Sequence, residues 1–524
     1  MSGSSPGAAK LYAPHTIRTS GWTGDVAILV YLAMATVVVH VLTGGQYGFQ
    51  RDELATLEDA RHLAWGYVAY PPVTPFFGRI SLELFGTSLT GFRFFAAIAE
   101  AIAVVLTGLM ARELGGSRWA QLVAATAAVP FCLAGGALMQ YVSFDYLSWV
   151  LTAYFTLRLL KSSDPRWWVA IGSSIGLGML SKYSMPFLVA GLVVGVLATN
   201  VRRHLKSRWL WCGVAVSLLI FLPNLIWNLN NHWPFLELMH NIRASGRDVR
   251  LSAFEFFTQQ VLLLHPLTAP IWITGVFALL LSQRLKKYRM LGWCYLSAFT
   301  AFVALKGKNY YLAPIYPMLF AAGAVIVENG IVRTRQAWLK PATIVLLIAG
   351  GAWLAPLVVP VFSVDHFISY MNDLPFKVPR SEHSHERALL PQHYADQFGW
   401  EEMTAVTAQA WARVPPEERR DCGIFAQDYG QAGAIDFFGP RYGLPPALSG
   451  HQTYFLWGPR NYSGNCLIIL DDKKEVLDQL FEHVEYVGTS DNPYALERNI
   501  PVFLCKGAKF GSLQKLWPKL KKWY

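Results

Sequence analysis

Charge is scarce in this chain of 524 residues: 15% are Asp, Glu, Lys or Arg, while 53% are hydrophobic and 14% aromatic. So apolar a composition excludes an ordinary soluble enzyme of this length and points to a polytopic membrane protein. Acidic residues are fewer than basic ones, 34 against 45, for a net charge of +11. Nucleic-acid binding is not implied, because Lys and Arg gather in short loops between apolar runs and form no stripe interleaved with aromatics. The six cysteines show no metal-site spacing. Cys132, Cys212 and Cys294 lie in apolar runs; Cys422, Cys466 and Cys505 lie beyond them, and a Cys422–Cys466 disulfide depends on that region being outside the cytoplasm. There is no G-x-x-x-x-G-K-[ST] or H-E-x-x-H. Nucleotide hydrolysis and zincin proteolysis therefore lack motif support. The first apolar run continues to Gly44-Gly45 and reads as a retained anchor.

What is present is a succession of apolar runs, each near the roughly 20 residues that a bilayer core requires. They give eleven expected spans: 26–43, 92–111, 119–138, 142–160, 166–181, 184–200, 209–228, 260–281, 289–305, 310–327 and 341–363. The stretch 166–200 could be one tilted helix, but loop charge favours two helices broken at Ser181-Lys182-Tyr183. With two, the loops 111–118, 158–167, 201–208, 282–290 and 328–340, which hold sixteen Lys and Arg, share one face. The positive-inside rule makes that face cytoplasmic. The expected organisation is a cytoplasmic leader (1–25), a transmembrane domain (26–363) with a long first outer loop (44–91), and a soluble α/β domain (364–524) outside. In the outer loop, Leu54, Leu57, Arg61, Ala64 and Trp65, then Phe76, Phe77, Ile80, Leu84 and Phe85, follow helical spacing. They predict two interfacial amphipathic helices, separated by Pro71-Pro72.

This topology sorts the ionisable residues. Asp52, Glu53, Glu58, Asp59, Asp145, Lys182, His265, Lys306 and Lys308 all fall at or near the outer surface. Charges at a membrane edge are costly, so their convergence marks a functional site. Asp52 opens the first loop helix, where it either caps that helix or acts as a general base toward an acceptor hydroxyl. Glu53 cannot point the same way and is expected to orient a partner or bind substrate. Lys182 in "GMLSKYSMPF" either snorkels or binds an anion. In "LKGKNYYLAPIYPMLF", Lys306, Lys308, Tyr310 and Tyr311 precede a helix whose amino terminus faces outward, a credible phosphate site. Asp145 needs a cation partner. His265, beside Pro266, is either a satisfied histidine or a ligand.

The segment "YGFQRDELATLEDARHLAWGYVAYPPVTPFFGRISLELFG" (47–86) closely resembles the first outer loop of bacterial ArnT-like and protein O-mannosyltransferase-like enzymes of the membrane C-type glycosyltransferase superfamily. The likeness continues through "FDYLSWVLTAYFTLRLL", "GLGMLSKYSMPFL", "LPNLIWNLNNHWPFLE", "HPLTAPIWITG" and "KGKNYYLAPIYPML". It implies a polyprenyl-phosphate sugar donor, Asp52 as catalytic base with Glu53 completing its acidic pair, and donor contacts from Lys182 and from Lys306 to Tyr311. Ala69 and Tyr70 depart from the Asp and His or Gln that many relatives carry before Pro-Pro. Tyr141 and Val142 stand where relatives often show Met-Asn.

The expectation is a glycosyltransferase of the bacterial inner membrane with its C-terminal domain in the periplasm. It would pass a sugar, with inversion, to a lipid A, glycan or protein hydroxyl; no cofactor is required and a divalent metal is optional. A transporter or flippase of the lipid-linked sugar is the main rival, and a structural scaffold a third reading. Against the rival, no internal repeat is visible and the ionisable residues sit at one surface rather than the midplane.

Overall fold

The computed structural model describes residues 24–246, 249–378 and 388–524; all but the end of the expected leader lies outside the described residues. The membrane part comprises α1 (Asp25–Thr43), α2 (Arg51–Arg61), α3 (Val73–Phe85), α4 (Leu89–Glu113), α5 (Arg118–Gly136), α6 (Tyr141–Ser162), α7 (Trp167–Met179) and α8 (Met185–Leu197). It continues with α9 (Arg208–Asn230), α10 (Pro234–Ser245), α11 (Ala253–Leu263), α12 (Ala269–Leu281), α13 (Arg289–Ala304), α14 (Tyr316–Thr334) and α15 (Leu339–Leu354). Helix occupies all eleven expected spans. Among the described residues six helices are long and apolar enough to cross a membrane, or eight if two bent pairs each count as one. The chain is thus a multi-pass membrane protein.

Two details differ from the sequence reading. The expected straight span 260–281 is α11 and α12, meeting at 100°, because His265 takes a φ of +72° ahead of Pro266. The α7–α8 break runs from Leu180 to Ser184, centred on Lys182.

Small residues set the helix packing, as expected where lipid removes the usual hydrophobic drive between helices. A Cβ on Gly275 would lie 2.1 Å from the Leu319 carbonyl oxygen, and one on Gly323 1.8 Å from that of Ile271. Backbone contact between α12 and α14 excludes any side chain there. At one end of the bundle the basic loops meet: Arg158 and Lys161 pair with Glu113, Lys287 donates to the Lys161 carbonyl and Lys340 pairs with Glu328. Arg118 pairs with Asp25 at the start of α1, so that end of α1 lies on the basic face.

On the opposite side stand α16 (Val364–Asn372), α17 (Gln392–Ala395), α18 (Trp400–Ala412), α19 (Tyr429–Phe438), α20 (Gln452–Trp457) and α21 (Lys474–Leu480), with a four-stranded sheet. Its strands β1 (Cys422–Phe425), β2 (Cys466–Leu470), β3 (Phe481–Ser490) and β4 (Ile500–Ala508) run in the order β1-β2-β4-β3. β1 and β2 are parallel; β4 is antiparallel to both its neighbours. Cys422 and Cys466, paired in register across β1 and β2, form a disulfide.

This α/β part is seated on the first outer loop. Leu54 and Leu57 are fully buried, in one core with Phe92, Ile424, Ile435 and Leu504. The apolar face of α2 is therefore covered by protein, not lipid, and α2 ends before Ala64 and an exposed Trp65. α3 keeps an interfacial face, with Phe76, Leu84 and Phe85 exposed and Phe77 stacked on Phe144. α2 and α19 meet so closely that a Cβ on Gly433 would lie 2.8 Å from the Leu54 backbone. Gly433→Val is expected to cost about 1–3 kcal/mol by overpacking and to raise amide exchange in α2 and α19 while sparing α12 and α14. Unchanged exchange in α2 would contradict this seating.

Candidate active site in the cavity between bundle and outer domain

A cavity of about 1880 Å³ opens where α2, α6, the α7–α8 break, α10 and the segment before α14 meet the outer domain. Its lining is mixed: polar at Asp52, Gln140, Tyr141, Lys182, Lys308 and Tyr429, and apolar at Leu262, Phe302, Leu357, Val358, Leu374 and Phe376. A ligand with a polar head and a long hydrocarbon tail fits that lining.

Asp52 is a third exposed and is not the cap of α2. Gln50 is: its side chain accepts the Asp52 amide at 2.7 Å, while Glu53 accepts the Gln50 amide at 3.0 Å to close the capping box. With the cap supplied elsewhere, the Asp52 carboxylate is turned into the cavity. Its Oδ1 accepts from the Tyr429 hydroxyl at 2.7 Å and its Oδ2 from Gln140 Nε2 at 3.1 Å. Each oxygen keeps lone pairs for a further partner.

Glu53 has no access to the cavity. It is completely buried and is bidentate to Arg93, at 2.8 Å from Nε and 2.6 Å from Nη2. The Met139 amide donates to it as well, at 2.8 Å. Arg93 also donates to the carbonyls of Gly44 and Gly48. Glu53 thus orients the loop that presents Asp52 and is corrected from catalytic to architectural. Arg93, one residue inside an expected apolar span, was the sequence signal for this pair.

Lys182 stands among three tyrosine rings, its Nζ 3.9 Å from the Tyr311 centroid, 5.0 Å from Tyr141 and 5.5 Å from Tyr310. Cation–π attraction places the ammonium without cancelling its charge, as a carboxylate would. Tyr310 and Tyr311 are perpendicular neighbours that line the cavity with Lys308. Lys306 does not join them: with φ +55° it turns away and donates to the Leu251 carbonyl at 3.2 Å.

Asp145 is buried behind the cavity wall. It accepts from the Ser184 hydroxyl at 2.7 and 2.8 Å and from the Trp149 indole at 3.1 Å. Hydroxyl and indole donors supply what was expected of a cation, although the charge of Lys182 is felt there. His265 is also outside the site, packed beside Gly350 of α15. Sequence reasoning did not single out Gln50, Gln140, Tyr429, or Arg243 on α10, which also faces the cavity. Among the described residues no group of three or more His, Cys, Asp and Glu side chains is arranged to hold a metal ion.

Carboxylates nearby are strongly perturbed. Burial pushes Asp59 up to about 8 despite the Tyr70 hydroxyl bonded to it. Asp436 is pushed up to about 7, by burial and then by the charge of Glu58.

Residues 69–227 match the family model described as dolichyl-phosphate-mannose-protein mannosyltransferase. The lipid A galacturonosyltransferase RgtD of Rhizobium johnstonii is 25% identical over 285 residues, 51% of this chain and 57% of that protein. An undecaprenyl phosphate-alpha-4-amino-4-deoxy-L-arabinose arabinosyl transferase of Pseudomonas fluorescens is 30% identical over 185 residues, 32% of this chain and 33% of its own. The aligned region thus spans 57% and 33% of these two relatives. Among solved structures, ArnT from Cupriavidus metallidurans superimposes with a TM-score of 0.60 at 15% identity, covering 91% of this chain and 97% of that one. The same protein bound to undecaprenyl phosphate gives 0.60 at 14% identity, with 91% and 98% covered.

Proposed function

Since the chain has the ArnT-like fold of the membrane C-type glycosyltransferase superfamily, we propose that it is a glycosyltransferase moving a sugar from a polyprenyl-phosphate donor to a hydroxyl of an envelope acceptor. The observation that carries this reading is the meeting, in one cavity, of a carboxylate with open lone pairs, the Lys182 ammonium held among tyrosine rings, and apolar lining. The polyprenyl tail lies against the apolar lining. Lys182 and Lys308 receive the phosphate, with Tyr310 and Tyr311 as hydroxyl donors. The acceptor oxygen attacks the anomeric carbon as Asp52 takes its proton, and the bond to the phosphate oxygen breaks with its electron pair passing to the leaving polyprenyl phosphate. The lysines stabilise the charge that develops there. One in-line displacement inverts the anomeric configuration.

On this reading the basic loops face the cytoplasm, as the positive-inside rule favours, and the cavity and the Cys422–Cys466 disulfide lie on the periplasmic side of a bacterial inner membrane, where disulfides persist. The relatives named above act on lipid A or use an undecaprenyl phosphate sugar, so lipid A or another envelope glycan is the acceptor class to assay first.

The test is transfer of labelled sugar from polyprenyl-phosphate donors to lipid A in vesicles containing the purified protein. Transfer supports the reading; donor translocation without transfer would replace it by a flippase. Lys182→Met is expected to weaken donor binding by roughly 10- to 100-fold, the worth of one charged hydrogen bond, whereas Lys306→Met leaves it unchanged. Equal losses in the two variants, read by titration with a fluorescent polyprenyl phosphate, would contradict the phosphate site.

A further inference from the structure

Asp52 is held by a residue from the far end of the chain. The Tyr429 hydroxyl donates to its Oδ1 at 2.7 Å, and Tyr429 opens α19, whose amino end is capped by Asp428. The tyrosine ring is fixed on two sides: the Arg51 guanidinium lies 5.5 Å from its centroid and the His451 imidazole 4.9 Å. Arg51 in turn lies 3.8 Å from Glu497 and 3.9 Å from Asp52, and its backbone amide donates to the Asp396 carbonyl. A side chain only meant to fill the interface would not need a hydroxyl aimed at an open carboxylate. We propose that Tyr429 is a positioning residue for the base: its hydroxyl sets the direction and basicity of Asp52, so that the outer domain completes the active site instead of merely covering it. This inference rests on the glycosyltransferase reading and deepens it.

The chemistry follows from the bond. A phenol donating to Oδ1 stabilises the ionised carboxylate, and together with Gln140 on Oδ2 it fixes the plane in which the remaining lone pairs point. Burial, against the opposing charge of Arg51 and with the charge and hydrogen bond of Asp52 adding to it, holds the Tyr429 phenol well above its ordinary range. It remains a donor at any pH at which the protein works. The other groups facing this pair are Arg51 on the same helix, Tyr141 on α6, and Asp396, Asp428, His451 and Glu497 of the outer domain. Burial pushes Glu497 up well beyond the usual carboxylate range, with Asp428 adding to the shift and Arg51 opposing it. Asp428 stays below its usual range, although burial, the largest influence, opposes its charge. His451, pushed down to about 4 by burial, is neutral above that pH. None of these groups needs to change charge for Tyr429 to act on Asp52.

The experiment compares Tyr429→Phe and 3-fluorotyrosine at position 429 with wild type, in the full-length protein in vesicles, measuring kcat, donor KM and the acid limb of kcat against pH. Tyr429→Phe is expected to lower kcat about tenfold, the worth of a charge-assisted hydrogen bond, with donor KM unchanged. It should also move the acid limb to higher pH, since the carboxylate loses a donor. 3-Fluorotyrosine, whose phenol donates more strongly, should move the limb the opposite way while keeping the ring and its packing. An acid limb that stays in place in both variants overturns the inference, whatever happens to kcat. Asp52→Asn measured alongside separates the two levels. If it transfers as wild type does, the base assignment itself fails; if it is inactive while both Tyr429 limbs coincide with wild type, only the role of Tyr429 fails.

Discussion

Asp52→Asn is expected to lower sugar transfer by about 10²- to 10⁴-fold, the range for loss of a positioned general base. The substitution keeps the size of the side chain and its place on α2, whose cap is formed by Gln50 and Glu53. Lys182 and Lys308, the proposed phosphate ligands, stand elsewhere in the cavity wall. What disappears is the ability to take the acceptor proton. Donor affinity should therefore stay within a few-fold of wild type while turnover collapses, a split measurable by titrating donor and following product in the same vesicles. A parallel loss of donor binding would assign Asp52 to donor recognition.

Arg93→Leu is expected to be the most destabilising single change at the site. Removing one partner of a buried, hydrogen-bonded ion pair costs about 3–5 kcal/mol, because the remaining charge is stranded. Glu53, completely buried and bidentate to Arg93, would keep only its amide donors, and the carbonyls of Gly44 and Gly48 would lose theirs. Thermal unfolding in detergent should show a large drop for Arg93→Leu and for Glu53→Leu alone. The double variant, with no stranded charge, should recover part of the loss. Fully additive losses would show that the two side chains act independently.

Local pattern carried much of this architecture. Loop charge set the α7–α8 break at Lys182, and the change of composition after the last apolar run set off the α/β domain. Other features depend on partners far away in the chain. Periodicity showed that Leu54 and Leu57 share a face, but an apolar face looks the same whether lipid or α19 covers it. Asp52 was the expected cap by residue preference; the amide geometry gives that role to Gln50. Lys306 and Lys308 were indistinguishable two residues apart; the positive φ of Lys306 separates them. The bend at His265-Pro266 was hidden because apolar residues run on through it. β4 carried no strand assignment of its own in the sequence reading, although it pairs with both β2 and β3. Tyr429, 377 positions from Asp52, has no local signal at all.

The measurement that bears most directly on a single displacement driven by Asp52 is the anomeric configuration of the product, determined by NMR on sugar transferred from a donor of known anomer. Inversion is the expected result. Retention would require a second displacement through a covalent sugar–enzyme intermediate and would contradict the mechanism derived from this cavity.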